Sequence, residues 1–188
     1  MKVESVEPIR DKEILKSMRY YLKETNERNL VMFELGIYTG LRISDILKLR
    51  VEDVRGKKGI KKEIKLVENK TGKEKEIFIN PILKRTLSEY TKGMDDIEYL
   101  IKSRNGNNKP LGRTQAYRII KELGEKFDVE DLGTHSLRKT FGYHYYKKTN
   151  DVALLQKIYN HTSPEVTLRY ICIDKDSIRK AYRDMRYY

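Results

Sequence analysis

Apolar residues recur roughly every three or four positions over most of the chain, the spacing that gives a helix one buried face. Ile14, Leu15, Met18 and Leu22 set it from Asp11 to Thr25. A second helical stretch runs from Asn29 to Tyr38 and stops at Thr39-Gly40, and a third, shorter one covers Ser44 to Leu49. The period then changes. From Ile60 to Val67 and from Glu74 to Ile79 apolar and polar residues alternate, so that Ile64 and Leu66 share one side of a strand and Ile77 and Ile79 share one side of the next. Asn69-Lys70-Thr71-Gly72-Lys73 between them is turn chemistry, and the pair predicts a β-hairpin.

Helical spacing returns at Pro81 and runs to about Thr91. Tyr99 to Lys102 predicts a short strand, and Ser103 to Pro110, rich in Asn, Gly and Pro, a loop. Gly112 to Phe127 reads as a helix with Ala116, Ile119, Ile120 and Leu123 on its apolar face. Thr134 is the predicted N-cap of a helix from His135 to Lys148, and Asp151 caps another that ends at Tyr159. Ser163 followed by Pro164 starts a short helix to about Ile171. Asp174 to Tyr188 forms a final basic helix, with Ile178, Ala181, Tyr182 and Met185 along one stripe. The expected fold class is therefore mainly α with a small antiparallel β-sheet (α+β). No repeat, low-complexity segment or linker divides residues 1–188, so a single domain is expected.

Composition narrows the partners. Lys and Arg total 40 against 28 Asp and Glu, a formal net charge of +12, and such a field draws polyanions. Nucleic acid is the first candidate, ahead of a membrane surface or an acidic protein. The lone Cys172 cannot form an internal disulfide, so nothing demands an oxidising compartment. No apolar run approaches the roughly 20 residues that span a bilayer, and Met1 to Arg10 lacks the apolar region of a secretion signal. A cytoplasmic protein without a membrane partner is the default expectation.

Five short motifs hold the candidate chemistry. Thr39-Gly40-Leu41-Arg42-Ile43-Ser44-Asp45 sets an arginine between a glycine turn and a helix start. Lys70-Thr71-Gly72-Lys73 lies at the hairpin tip. His135-Ser136-Leu137-Arg138 places two donors at i and i+3 on one helical face. Asn160-His161-Thr162-Ser163 precedes Thr167-Leu168-Arg169-Tyr170. Two arginines, a lysine and two histidines are all donors or cations, the equipment for holding a phosphate and opposing its extra charge in a transition state. A tyrosine hydroxyl can then attack, provided a base or a cationic neighbourhood offsets its usual pKa of about 10. Each motif taken singly has a plain alternative: a surface arginine, a polar turn, a solvated helix face, a backbone-bonding histidine, or one packing tyrosine among 14. A phosphate-loop reading of Thr71-Gly72-Lys73 fails, because Glu74 stands where Ser or Thr is needed.

Taken together and in this order, the motifs resemble the catalytic domain of the tyrosine recombinase (phage integrase) family, from about Ile14 to Ile171. That family runs Arg, a hairpin Lys, His-x-x-Arg, His or Trp, then Tyr. The resemblance implies that Arg42, Arg138 and His161 bind the scissile phosphate, that His135 assists proton movement and that Lys70 protonates the departing 5′ oxygen. Tyr170 would attack phosphorus to give a 3′-phosphotyrosine. It implies no cofactor and no metal. It also implies double-stranded DNA as partner, with self-association on DNA as a tetrameric synapse to which the terminal helix contributes by docking on a neighbour, although the apolar stripe of that helix fits packing on its own domain equally well. Tyr159-Asn160 stands where the family often has Leu-Gly, Asp45 where it often has Glu, and Lys73 competes with Lys70 for the lysine role. Full-length members usually carry an N-terminal helical domain that clamps the far side of the DNA. No counterpart is expected here, so the chain is either a fragment or a short natural form.

Grip on DNA should come from phosphate contacts. The candidates are Lys73, the basic run Arg55, Lys57, Lys58, Lys61 and Lys62, and the helix start Arg113, Thr114 and Gln115, which could reach base edges in a major groove. The plain reading of the lysine run is a charged strand edge. Two further functions stay open at this point: a cleavage-deficient module that regulates recombination sites, and a topoisomerase with the same chemistry.

Overall fold

The computed structural model describes residues 6–68 and 72–185. Lys70, with Asn69 and Thr71, lies outside the described residues, as do positions 186–188 at the end of the expected terminal helix. Helix α1 (Lys12–Thr25) begins at Asp11, whose carboxylate accepts from the Glu13 and Ile14 amides. Asn26 ends α1 and caps α2 (Glu27–Thr39) by accepting from the Asn29 amide, so α2 starts earlier than its apolar pattern suggested. Every residue of α2 from Leu30 to Gly36 is buried. This central helix packs against α1, α5 (Pro81–Tyr90) and α7 (Thr134–Thr149).

The helix expected over Ser44–Leu49 is the shorter α3 (Ile43–Ile46), and a further single turn, α4 (Val51–Val54), follows where none was expected. The Asp53 carboxylate accepts from the Arg50 amide at 2.7 Å and restarts the helix there, while Leu47, Leu49 and Val51 all turn into the core. The sheet consists of two antiparallel hairpins rather than one. β1 (Arg55–Gly56) pairs with β2 (Gly59–Ile60), and β3 (Glu63–Val67) with β4 (Glu74–Phe78). In the larger hairpin Ile64 lies opposite Ile77 and Leu66 opposite Lys75. Tyr99–Lys102 is not a strand; Tyr99 and Lys102 make only isolated bridges to Arg50 and Pro110.

Helix α6 (Arg113–Lys126) buries Ala116, Ile120 and Leu123. The cap of α7 is Gly133, not Thr134: the Ser136 hydroxyl accepts from the Gly133 amide at 3.1 Å, and Thr134 is the first helical residue. α8 (Val152–Tyr159) and α9 (Pro164–Tyr170) start at the predicted caps, Asp151 and Ser163. α10 (Ile173–Asp184) closes the described chain. Apolar burial falls into two clusters. The larger joins α1, α2, α5, α6 and the hairpins, and the smaller gathers Tyr143, Leu155, Tyr159, Ile171 and Ile173 where α7 to α10 meet. Among the described residues no helix is long and apolar enough to cross a membrane.

Candidate active site

The site lies between these clusters, and α7 is its spine. Ser136 to Thr140 are buried without interruption, so Arg138 is only 2% exposed although charged. Its guanidinium donates to the Gly40 carbonyl and, at 3.4 Å, to the Tyr159 carbonyl, and lies 4.2 Å from the centre of the Tyr159 ring. These partners orient the fork without neutralising its charge. The Gly40 carbonyl faces Arg138 because Gly40 ends α2 in the left-handed region at φ 64°. A Cβ there would stand 2.7 Å from the Phe141 ring. Tyr159 in turn donates from its hydroxyl to the Arg138 carbonyl at 2.6 Å, so its buried polar end is satisfied.

Arg42 follows the same turn at the cap of α3. Its guanidinium lies 2.9 Å from Glu68 Oε1, and the same oxygen is 3.2 Å from Lys75 Nζ. Glu68 is 3% exposed. Lys75 also donates to the Ile158 carbonyl at 2.7 Å, which ties the hairpin to the end of α8. Burial lowers the Lys75 pKa, the nearby Arg138 and Arg42 lower it further, and Glu68 opposes the shift.

His161 sits in the turn between α8 and α9, which is tightened by its amide bonding to the Gln156 carbonyl at 3.0 Å. Thr167 Oγ1 donates to the Ser163 carbonyl, so it accepts from His161 Nδ1 at 3.1 Å. This bond orients the imidazole ring through Nδ1. The imidazole meets the Tyr170 ring edge-on at 5.1 Å, and Tyr159 meets it at 5.5 Å. Lys139 Nζ lies 5.4 Å from the centre of the Tyr170 ring. Burial raises the Tyr170 pKa, while the charges of Arg138 and Arg42 and a hydrogen bond from Arg138 pull it down. The hydroxyl is thus a proton-bearing group waiting beside two arginines.

Arg42, Arg138, His161 and Tyr170, far apart in sequence, converge. His135 is exposed on the first turn of α7, one turn before Arg138. Lys73 is brought to the site's edge, donating to Asn160 Oδ1 at 2.9 Å. Lys57 and Lys58 form the exposed turn between β1 and β2, and Arg113, Thr114 and Gln115 the exposed first turn of α6. Arg55 is committed elsewhere: its guanidinium holds Asp96 and the Thr91 and Met94 carbonyls. The third histidine, His144, bonds to the Ile9 carbonyl at 2.9 Å, and burial lowers its pKa. Among the described residues no group of three or more His, Cys, Asp or Glu could hold a metal.

Sequence reasoning missed Glu68, Lys75, Tyr159 and Thr167. For the first two a signal was present. Strand alternation that turns Ile64 and Leu66 inward turns Glu68 inward too, and Lys75 shares a face with Ile77 and Ile79. A carboxylate and an ammonium on the core face of a hairpin mark a buried ion pair.

A family model described as the phage integrase family matches residues 8–176. The chain is 47% identical over 178 residues to a probable integrase/recombinase, YoeC, of Bacillus subtilis (strain 168), covering 95% of this chain and 96% of that one. It is 28% identical over 192 residues to the tyrosine recombinase XerA of Pyrococcus furiosus, covering 95% of this chain and 66% of the relative. The crystal structure of XerA recombinase superposes with a TM-score of 0.74 at 22% identity, over 96% of this chain and 65% of that chain. A structure of the XerH site-specific recombinase bound to a palindromic difH substrate, a post-cleavage complex, gives 0.69 at 19% identity, over 96% of this chain and 53% of that chain.

Proposed function

The chain belongs to the phage integrase family, and from that membership we propose that it is a site-specific recombinase that cuts and rejoins double-stranded DNA through a covalent bond between Tyr170 and a 3′ phosphate. The observation that carries this reading is the packing of Tyr170 edge-on against His161, with its hydroxyl under the charge of both Arg138 and Arg42. The arginines bind the non-bridging oxygens of the scissile phosphate, and their fixed forks oppose the charge that grows as phosphorus becomes five-coordinate. His161, held at Nδ1 by Thr167, presents Nε2 to the same phosphate. His135 helps the proton leave the Tyr170 hydroxyl, and Lys70 returns a proton to the departing 5′ oxygen. The phosphodiester bond is exchanged for a phosphotyrosine ester of similar energy, so a 5′ hydroxyl of another strand can reverse the step without ATP.

DNA is gripped through phosphates, with Lys57, Lys58 and Lys73 as contacts and Arg113, Thr114 and Gln115 entering a major groove. Binding therefore falls steeply with salt. Four protomers assemble on two DNA sites, joined by α10, whose Ile178 and Tyr182, with Met185 just beyond its end, are exposed. The protein acts in the cytoplasm on DNA of a mobile element. Relatives named as recombinases and solved with DNA support this reading. The test is Tyr170→Phe on a nicked duplex that traps the covalent complex: adduct should vanish while binding persists, and adduct that survives removes Tyr170 as nucleophile.

A further inference from the structure

Resting on that reading, we infer that Lys139 is a positioning residue for the nucleophile: its ammonium, fixed by the Val6 carbonyl, stands against the Tyr170 ring and favours the tyrosinate that attacks phosphorus. Lys139 follows Arg138 on α7 and is 8% exposed. Its nitrogen meets the Val6 carbonyl at 2.7 Å, Cys172 Sγ at 3.8 Å and the centre of the Tyr170 ring at 5.4 Å. None of these partners is a carboxylate, whereas Lys75, the partly buried lysine on the other side of the site, has one in Glu68. An ammonium taken out of water without a counter-charge is costly. Methionine would fill the same space without that cost. What the cation faces accounts for its presence.

Tyr170 is enclosed from several elements. His161, from the turn between α8 and α9, and Tyr159, from α8, meet its ring edge-on at 5.1 Å and 5.5 Å. Arg138 from α7 and Arg42 from the cap of α3 act at its hydroxyl, and Cys172 Sγ lies 3.8 Å from its carbonyl. Lys139 stands over the ring itself. A phenolate spreads negative charge into its ring, so a cation beside the ring holds the ionised form more strongly than the neutral one. Burial opposes ionisation of Tyr170, and the ring-facing ammonium works against burial. The place of that ammonium is set by Val6, and the segment carrying Val6 is held in turn. The Glu7 amide donates to the Asp131 carbonyl at 3.2 Å, and the Ile9 amide to the Thr140 hydroxyl at 2.9 Å. Lys139 thus acts through the ring and not at the reacting oxygen.

Three substitutions separate charge from packing. Lys139→Met removes the charge and the hydrogen bond, Lys139→Gln removes the charge but keeps a donor for Val6, and Lys139→Arg keeps the charge. In each full chain a fluorinated tyrosine is installed at position 170, whose lowered pKa brings ionisation into the range the fold withstands. Its fluorine resonance is followed against pH without DNA. The midpoint should rise by about one pH unit in Lys139→Met and Lys139→Gln, the scale of a desolvated cation–ring contact. It should stay near that of the unsubstituted chain in Lys139→Arg. An unmoved midpoint in Lys139→Met and Lys139→Gln overturns the inference. So does a rise in Lys139→Met alone, which would leave only the hydrogen bond to Val6. The same fluorinated chains are then given a nicked duplex recovered from a randomised library by covalent capture on the wild type. Below the midpoint, Lys139→Gln should form adduct about fivefold more slowly, and the rates should converge as pH rises above both midpoints. Equal slowing at every pH means a merely structural role and overturns the inference. Adduct that survives Tyr170→Phe removes the nucleophile assignment by itself, and the DNA-free titration still judges the contact between Lys139 and the ring.

Discussion

The two buried clusters solve different problems. The larger is shaped by aliphatic residues such as Val31, Leu35, Leu83, Leu87 and Ile120 with Phe33, and it needs only close packing. The smaller is built around Tyr143 and Tyr159 and abuts the buried Arg138 and Lys139. In the first cluster a charge is a liability. Glu34 is fully buried with one carboxylate oxygen unpartnered, and burial raises its pKa against the pull of Thr86 and Arg19. In the second cluster charge is retained: Arg138 is bonded to two neutral carbonyls and keeps its full positive field aimed at Tyr170. The lesson is that stability and chemistry are drawn from adjoining but separable regions.

The sharpest break between them should be Tyr170→Phe. Loss of covalent adduct by at least about a thousandfold is expected, since in the proposed mechanism Tyr170 supplies the attacking oxygen. The melting temperature should barely move, because only a hydroxyl in a packed tyrosine cluster is lost. Phe33→Ala should do the reverse. Emptying the centre of the larger cluster lowers unfolding free energy by about 3–5 kcal/mol in denaturant titrations, while adduct formed per folded molecule stays as in the wild type.

Gly142→Ala should join the two effects. A Cβ there would come within 2.4 Å of the Tyr159 hydroxyl and 2.7 Å of Ile171. Overpacking of this kind destabilises by about 1–3 kcal/mol, and it also disturbs the residue whose ring and carbonyl orient Arg138. Adduct formation should therefore fall further than thermal melting accounts for. If the two fall strictly together, the clusters are not separable as described.

The mildest effect concerns pH. Because the folded pKa of Glu34 is raised, its contribution is most favourable below the unfolded value. It is lost as pH rises from the ordinary glutamate range through the raised folded value. Glu34→Gln should remove that loss, so the stability difference between variant and wild type should grow in favour of the variant across this window. Glu7 gives the opposite sign. Burial alone would raise its pKa, but Lys175 and Arg10 outweigh burial and bring it to about 2. Its contribution is present above the ordinary glutamate range and lost as pH falls from there toward 2. Glu7→Gln should flatten the acid limb in pH titrations of melting.

The helices were legible because caps and apolar period agree: Asp151 and Ser163 each start a helix where their side chains predicted it, and α1 begins where its apolar spacing placed it. Ser44 to Leu49 was legible only in part: the helix stops at Ile46, and buried Leu47, Leu49 and Val51 then follow a spacing of two that is not helical before Asp53 restarts the backbone. At the site, Arg42, Arg138, His161 and Tyr170, which the fold brings together, all stand in motifs visible in the sequence. Glu68 and Lys75 could not be tied to Arg42 without knowing how the hairpin folds back. Thr167 reads as an ordinary helical residue until His161 is seen one turn away. Tyr159 is one tyrosine among 14 until its hydroxyl is seen to hold the Arg138 backbone.

The most direct measurement is to identify the residue that becomes bonded to DNA. The wild-type chain is incubated with a randomised library of nicked duplexes, the denaturant-stable complex is isolated, and the protein is digested and sequenced by mass spectrometry. A nucleotide mass on the peptide that contains Tyr170, with none in Tyr170→Phe, is the predicted result. A nucleotide on any other side chain, or no stable complex from the whole library, would contradict it.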